Sequence, residues 1–166
     1  MRSVIALLAA AACNTVLLAA AAGKPPPAGV LAPGKSLGGL RLGMTPAQVK
    51  AAWGADFGRC RNCIKRTWYY NYAPFTPQGA GVEFRSGRVA GIFTLRSPAG
   101  WHTTKRLRIG DPKVRITELY GALLRIGCTG YDAMTLVTPK ATTTFYVQDE
   151  KVFGFGLSRA AVPVCR

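Results

Sequence analysis

Two stretches of the chain carry apolar positions at helical spacing. In the first, Val49, Ala52 and Trp53 fall at i, i+3 and i+4, one face of a helix. Thr45 stands before it as an N-cap, Pro46 occupies the first helical position, and Gln48 completes a capping box. Gly54 stops the helix, because glycine takes the left-handed conformation freely. In the second stretch Asp111 is the cap, Pro112 follows, and Ile116, Leu119 and Tyr120 form the apolar stripe before Gly121. After each helix the period falls to two, the signature of strands. Residues 67–72 are aromatic and β-prone, and Val82 and Phe84 alternate with Glu83 and Arg85. Ser86-Gly87 then predicts a turn, with residues 89–95 as the return strand. The later counterparts are strands at 134–137, 142–147 and 152–157, with a turn near Asp149-Glu150.

The two halves also match residue by residue. Leu40-Arg41-Leu42-Gly43 corresponds to Leu107-Arg108-Ile109-Gly110, and at the same offset Val49 pairs with Ile116, Trp53 with Tyr120 and Gly54 with Gly121. Val82, Phe84, Val89 and Ile92 correspond to Phe145, Val147, Val152 and Phe155. The predicted fold class is α+β: two tandem helix-plus-antiparallel-meander repeats forming one sheet, with the helices on one face. Repeat 1 spans 37–96, a linker covers 97–103, and repeat 2 with a C-terminal tail spans 104–166. A unit of this size is marginal alone, so the two are expected to share a sheet.

The N-terminal pattern is different. Met1-Arg2-Ser3 is followed by a nearly unbroken apolar run, Val4 to Ala22, ending in Ala20-Ala21-Ala22. This is the layout of a signal peptide over 1–22, which predicts a secreted or envelope location. An uncleaved anchor or a lipoprotein acylated on Cys13 are the rival readings, and both keep the remainder outside the cytoplasm. Residues 23–36, rich in Pro and Gly, read as a semi-rigid linker. With 49% hydrophobic residues in all, the chain is not disordered by composition, and 19 Gly and 11 Pro favour turns over a helical bundle.

The run LRLGMTPAQVKAAWG, residues 40–54, followed by Cys60, resembles the opening of a repeat in the secreted β-lactamase-inhibitor proteins of soil bacteria. The same Gly-Met-Thr start is similar to the small lipoprotein of the outer-membrane β-barrel assembly machinery. The resemblance implies two tandem helix-plus-sheet units over most of 37–158, each with a disulfide, and a non-catalytic protein-binding role. Those inhibitors place an Asp after the first repeat's second Cys. Here residues 66–72 read Arg-Thr-Trp-Tyr-Tyr-Asn-Tyr, without an acid, so the inhibitory role passes to no residue.

Four cysteines follow the signal: Cys60, Cys63, Cys128 and Cys165. They allow three pairings, of which Cys60–Cys63 with Cys128–Cys165 is favoured. A redox role for Cys60-Arg61-Asn62-Cys63 is disfavoured because the pair follows a helix instead of opening one. A zinc site lacks a second close pair. The single histidine, His102, reads as a solvent-facing linker residue, and the Gly38–Gly43 stretch lacks the Lys-Ser/Thr of a phosphate loop. No cofactor and no enzymatic activity are expected.

Charge then changes the picture. There are 22 Lys+Arg against 7 Asp+Glu, a formal net charge of +15. The candidate binding surface joins Arg59, Arg61, Lys65 and Arg66, the strand aromatics Trp68, Tyr70 and Tyr72, and the second basic cluster Lys105, Arg106 and Arg108. Two functions follow. The first is an exported, non-catalytic protein-binding module for an acidic partner, which an exposed aromatic cluster would support. The alternative is a basic envelope module docking on anionic cell-wall polymer or lipid, which a continuous basic face would support. Export argues against nucleic acid as the native ligand. Membrane contact requires an uncleaved or lipidated N-terminus, and a monomer is expected.

Overall fold

The structure, a computed structural model, describes residues 28–59, 66–70, 79–96 and 100–166. The expected Cys60–Cys63 pair, Arg61, Lys65, Tyr72 and the N-terminal signal lie outside them.

The fold is mostly β, which corrects the predicted α+β class. The two helices, α1 (Pro46–Trp53) and α2 (Val114–Tyr120), have only 8 and 7 residues and form no layer of their own. Both end where a glycine, Gly54 or Gly121, donates its N–H back to the last turn. At α1 the capping box is complete: Gln48 N donates to Thr45 Oγ1, and Thr45 N donates to Gln48 Oε1. At α2 the expected cap is displaced. Asp111 Oδ2 accepts the N–H of Arg108 and closes the preceding turn, so the helix starts only at Val114 with no side-chain cap. Ala52, expected in the apolar stripe of α1, is exposed.

The main sheet has eight antiparallel strands. In chain order these are β3 (Gly58–Arg59), β4 (Arg66–Tyr70), β5 (Gly79–Arg85), β6 (Arg88–Leu95), β8 (Leu124–Cys128), β9 (Tyr131–Val137), β10 (Thr142–Gln148) and β11 (Lys151–Ser158). Their spatial order is β3-β4-β5-β6-β11-β10-β9-β8, so the two halves of the chain meet at β6 and β11. The segments before the helices dock alike: Gly43 N donates to Val89 O at 2.8 Å, and Gly110 N to Val152 O at 2.7 Å. Two stretches read as linkers build a second, three-stranded sheet. Here β1 (Val30–Ala32) pairs antiparallel with β2 (Ser36–Leu37) and parallel with β7 (His102–Thr103). Leu31, Leu37 and Trp101 are fully buried by this arrangement.

One face of the main sheet carries the larger core. Val49 and Trp53 from α1 and Ile116 from α2 pack on Trp68, Tyr70, Val82, Ile92, Phe145, Phe155 and Leu157. Trp53 donates from Nε1 to Gly38 O at 2.8 Å and meets Trp101 and Tyr70 edge-to-face. The opposite face is floored by glycine, with aromatic rings lying flat on the backbone. A side chain at Gly81 would collide with the Phe93 ring, and one at Gly156 with Tyr146. Phe93, Leu95, Ala133 and Tyr146 form the second core on this face. Residues 159–166, the segment after β11, run across it as a strap fixed by the Cys128–Cys165 disulfide.

Candidate functional site

The structure separates the residues expected to form one binding surface. Trp68 and Tyr70 are core, 2% and 0% exposed. Trp68 stacks on Phe57 at 3.9 Å, and the Tyr70 hydroxyl donates to Gly54 O while burial pushes its pKa up to about 12. For Trp68 and Tyr70 the expected aromatic surface is therefore corrected to a packed interior, while Tyr72 lies outside the described residues. The alternation of the strand requires this, because Trp68 and Tyr70 share the face that α1 covers.

Of the basic residues named with them, the described ones, Arg59, Arg66, Lys105, Arg106 and Arg108, are exposed but divided. The Arg59 guanidinium lies over the rings of Phe57 and Trp68, at the β3–β4 end of the strand order. Lys105 lies over Tyr120, which packs on Phe145 of β10. Strands β4 and β10 are four steps apart in the sheet, roughly 19 Å at about 4.8 Å per step. Arg106 and Arg108 flank Leu107 in the same exposed loop as Lys105. Arg59 and Lys105 thus belong to separate surfaces.

Arg66 of the expected set instead joins cations not named with it, through strand register. Arg66 opens β4, Arg85 closes β5, Arg88 opens β6 and Arg159 follows β11. Pairing places all of these at one end of the sheet: Arg66 opposes Phe84, Arg85 opposes Arg88, and Arg159 N donates to Ala90 O. The turn between β9 and β10 adds Lys140 at the same end, because Thr142 opposes Ser158. The β1–β2 turn folds onto it, with Gly34 N donating to Thr143 Oγ1 at 2.8 Å, and brings Lys35. The segment before α1 brings Arg41, anchored because Val89 N donates to Met44 O.

Four of these cations, Lys35, Arg41, Lys140 and Arg159, line one open cleft of about 530 Å³ together with Gly34, Leu42, Pro139, Ala141 and Ala160. All four are exposed, and no carboxylate is among the lining residues. Arg88 and Arg85 continue the rim. Arg88 donates to Gly43 O, and Arg85 donates to Ala161 O and lies 3.4 Å from the buried Glu83 carboxylate. The opposite end of the sheet is mixed in charge: Lys113 and Arg125 pair there with Glu150 and Asp132, and Arg96 and Lys151 line a cleft with Asp149. Asp132, Asp149 and Glu150 line a cleft of about 320 Å³ there, and Asp111 lies beside it through the bond from Val152 N. Net positive charge is thus concentrated at one end of the strands, which strengthens the field there.

Sequence reading named only Arg66 as a binding residue of this rim, because its members are far apart in the chain; Arg41 drew notice only as a repeat identity. A signal was available in Arg85 and Arg88 flanking a predicted two-residue turn, which places both at one strand end. His102 is half-buried in β7, with Nδ1 3.1 Å from Gly100 O, and its backbone N–H bonds Gly29 O.

No protein-family model matches the chain, and no curated protein matches it. Among solved structures it is similar to an extracellular protein containing an SCP domain from Bacillus anthracis str. Ames. The identity there is 9% and the TM-score 0.51, over 72% of this chain and 44% of that one. It is also similar to a DUF4309 family protein, YjgB, from Bacillus subtilis subsp. subtilis str. 168, at 15% identity and TM-score 0.51, over 69% of this chain and 78% of that one. The chain thus spans less than half the length of the SCP-domain protein. The likeness is one of fold.

Proposed function

We propose that the protein is an exported, non-catalytic module that binds an anionic polymer of the cell envelope through the cationic rim. The observation that carries this reading is the cleft in which Lys35, Arg41, Lys140 and Arg159 meet from four separate segments without a lining acid. Clustered charges of one sign raise the local concentration and on-rate of an oppositely charged ligand. The signal-like N-terminus, the Cys128–Cys165 disulfide and the extracellular structural neighbour support an extracytoplasmic setting. With Trp68 and Tyr70 packed inside, the charged rim outranks an aromatic protein-binding surface.

Calorimetry with short-chain poly(glycerol phosphate) tests the proposal. Binding should weaken steeply as salt shrinks the Debye length from about 10 Å at 0.1 M to about 3 Å at 1 M. The triple change Arg41→Ser, Lys140→Ser and Arg159→Ser should weaken it at least tenfold with the melting temperature nearly unchanged. Binding insensitive to both salt and these substitutions would sink the proposal. Selective binding of an acidic protein, with no affinity for the polymer, would return the protein-binding reading to first place.

A further inference from the structure

The strap of residues 159–166 is held as a ligand is held. It lies on the glycine-floored face, and the polar contacts of Val164 and Arg166 come from side chains of the sheet or from the strap itself. The Tyr146 hydroxyl donates to Val164 O at 2.9 Å, and the Tyr131 hydroxyl donates to Arg166 O at 2.8 Å and accepts from Arg166 N. These contacts read main chain and need no particular side chain. One pocket reads chemistry: the Arg166 guanidinium enters over the Phe93 ring at 5.2 Å, with Nη1 3.3 Å from Glu83 Oε2. Both side chains are almost fully buried, 6% and 2% exposed. Glu83 is the one acid on that face of β5, opposite Gly91, and a side chain at Gly91 would crowd Arg166. A buried carboxylate beneath an aromatic ring, flanked by hydroxyls aimed at backbone, is a recognition site for an extended peptide bearing arginine. Beyond its peptide continuity with β11 at Ser158, the strap is tied covalently by the disulfide of Cys165 to Cys128 on the edge strand β8, and both cysteines are partly exposed.

We propose that this face is a peptide groove selective for an extended, arginine-bearing segment, with the strap as its resident occupant and the Cys128–Cys165 disulfide as the latch. A dithiol opens the latch. Its thiolate attacks one sulfur to give a mixed disulfide, and its second thiol resolves that bond. Two electrons and two protons pass to Cys128 and Cys165, and the dithiol leaves as a disulfide. The strap then exchanges with an arginine-bearing segment of another chain, which inherits Glu83, Phe93 and the two tyrosine hydroxyls. The groove adjoins the cationic rim, since Arg85 reaches both Glu83 and Ala161 O, but the proposal does not depend on the function proposed for that rim.

Two measurements on the full-length protein test this. In hydrogen exchange followed by mass spectrometry, reduction should lower protection of residues 159–166 at least tenfold while β5 and β6 keep theirs. In fluorescence anisotropy, the probe is a labelled, C-terminally amidated peptide with the sequence of residues 159–166 and Ser in place of Cys165. The protein carries Cys128→Ser, Cys165→Ser and Arg166→Ala, which leaves the carboxylate pocket open. It should bind the probe at least tenfold more tightly than the oxidised wild type does, and at least tenfold more tightly than a probe ending in Ala. If the arginine and alanine probes bind alike, the pocket is not selective and the proposal fails. It fails equally if reduction leaves the strap protected or melts β5 and β6 along with it, a readout on the unmutated chain that stands even if the triple variant does not fold.

Discussion

Replacing Trp68 separates a core residue from a binding residue in one experiment. Trp68 is 2% exposed, stacked on Phe57 at 3.9 Å and tilted against Phe84 at 4.6 Å. A buried tryptophan removes roughly 200 Å² from water, which at about 25 cal/mol per Å² amounts to about 5 kcal/mol. Measured Trp→Ala losses run about 3–5 kcal/mol, so Trp68→Ala should cost that much. In a domain of this size the melting temperature should fall by roughly 10–15 °C. Trp68→Phe is the instructive partner. The indole Nε1 is buried with no hydrogen-bond partner among the described residues, and removing it relieves a desolvation cost of roughly 1–3 kcal/mol. That relief offsets most of the lost area, so Trp68→Phe should cost less than about 1.5 kcal/mol. Thermal melts by circular dichroism read the stability, and polymer binding is read below the melting point of each variant. Both should bind as the wild type does. If Trp68→Ala melts within 2 °C, about one measurement error, and loses binding tenfold, the residue is a surface contact and the core assignment is wrong.

Three further outcomes are expected. Cys128→Ser with Cys165→Ser opens a link spanning 37 residues, which the chain-entropy treatment values at about 4 kcal/mol; a loss under about 1 kcal/mol in urea titration would show that the strap contributes little. Gly38→Ala should cost roughly 2–4 kcal/mol, because Gly38 has φ +57 and a side chain there would overlap the Trp101 and Trp53 rings; a wild-type melting curve would contradict the packing described. Burial raises the Tyr146 hydroxyl from 10.0 to about 12, so the native state keeps a proton that the unfolded state loses. That stabilisation is fully present below pH 10 and is lost as pH rises from 10 towards 12, so urea midpoints should fall more between pH 9 and 11 for the wild type than for Tyr146→Phe.

What the sequence made legible was what local chemistry fixes. The α1 cap was readable because Thr45 and Gln48 satisfy each other within one turn. The same logic failed at α2, where Asp111 had a nearer donor in Arg108 N and a proline bridged to Lys151 instead of opening the helix. The fold class was overdrawn towards helix because the glycine stops limit both helices to about two turns, while segments read as loops became strands. Edge strands β3 and β8 carry too few buried positions to show a period, with Leu124 and Arg125 exposed. Leu31 was hidden in Pro/Gly-rich composition, although its burial against the second sheet gives that segment its place. The rim was invisible for a separate reason: Lys35, Arg41, Lys140 and Arg159 become neighbours only through the order of β6, β11 and β10, a property of pairing that no local window contains.

The crowding of cations at one strand end sets how the molecule would meet an anionic plane. Eight-residue β6 and β11 stand about 26 Å tall at about 3.3 Å per residue. Arg85, Arg88, Lys140 and Arg159 lie at one pole, whereas at the other Asp132, Asp149 and Glu150 are offset by Arg125, Lys113, Arg96 and Lys151. An anionic plane therefore exerts a torque as well as a pull, and the molecule settles upright. In that posture its strands point along the surface normal, its mixed-charge end faces away, and the Cys128–Cys165 link sits on the outward side, where a soluble thiol can reach it.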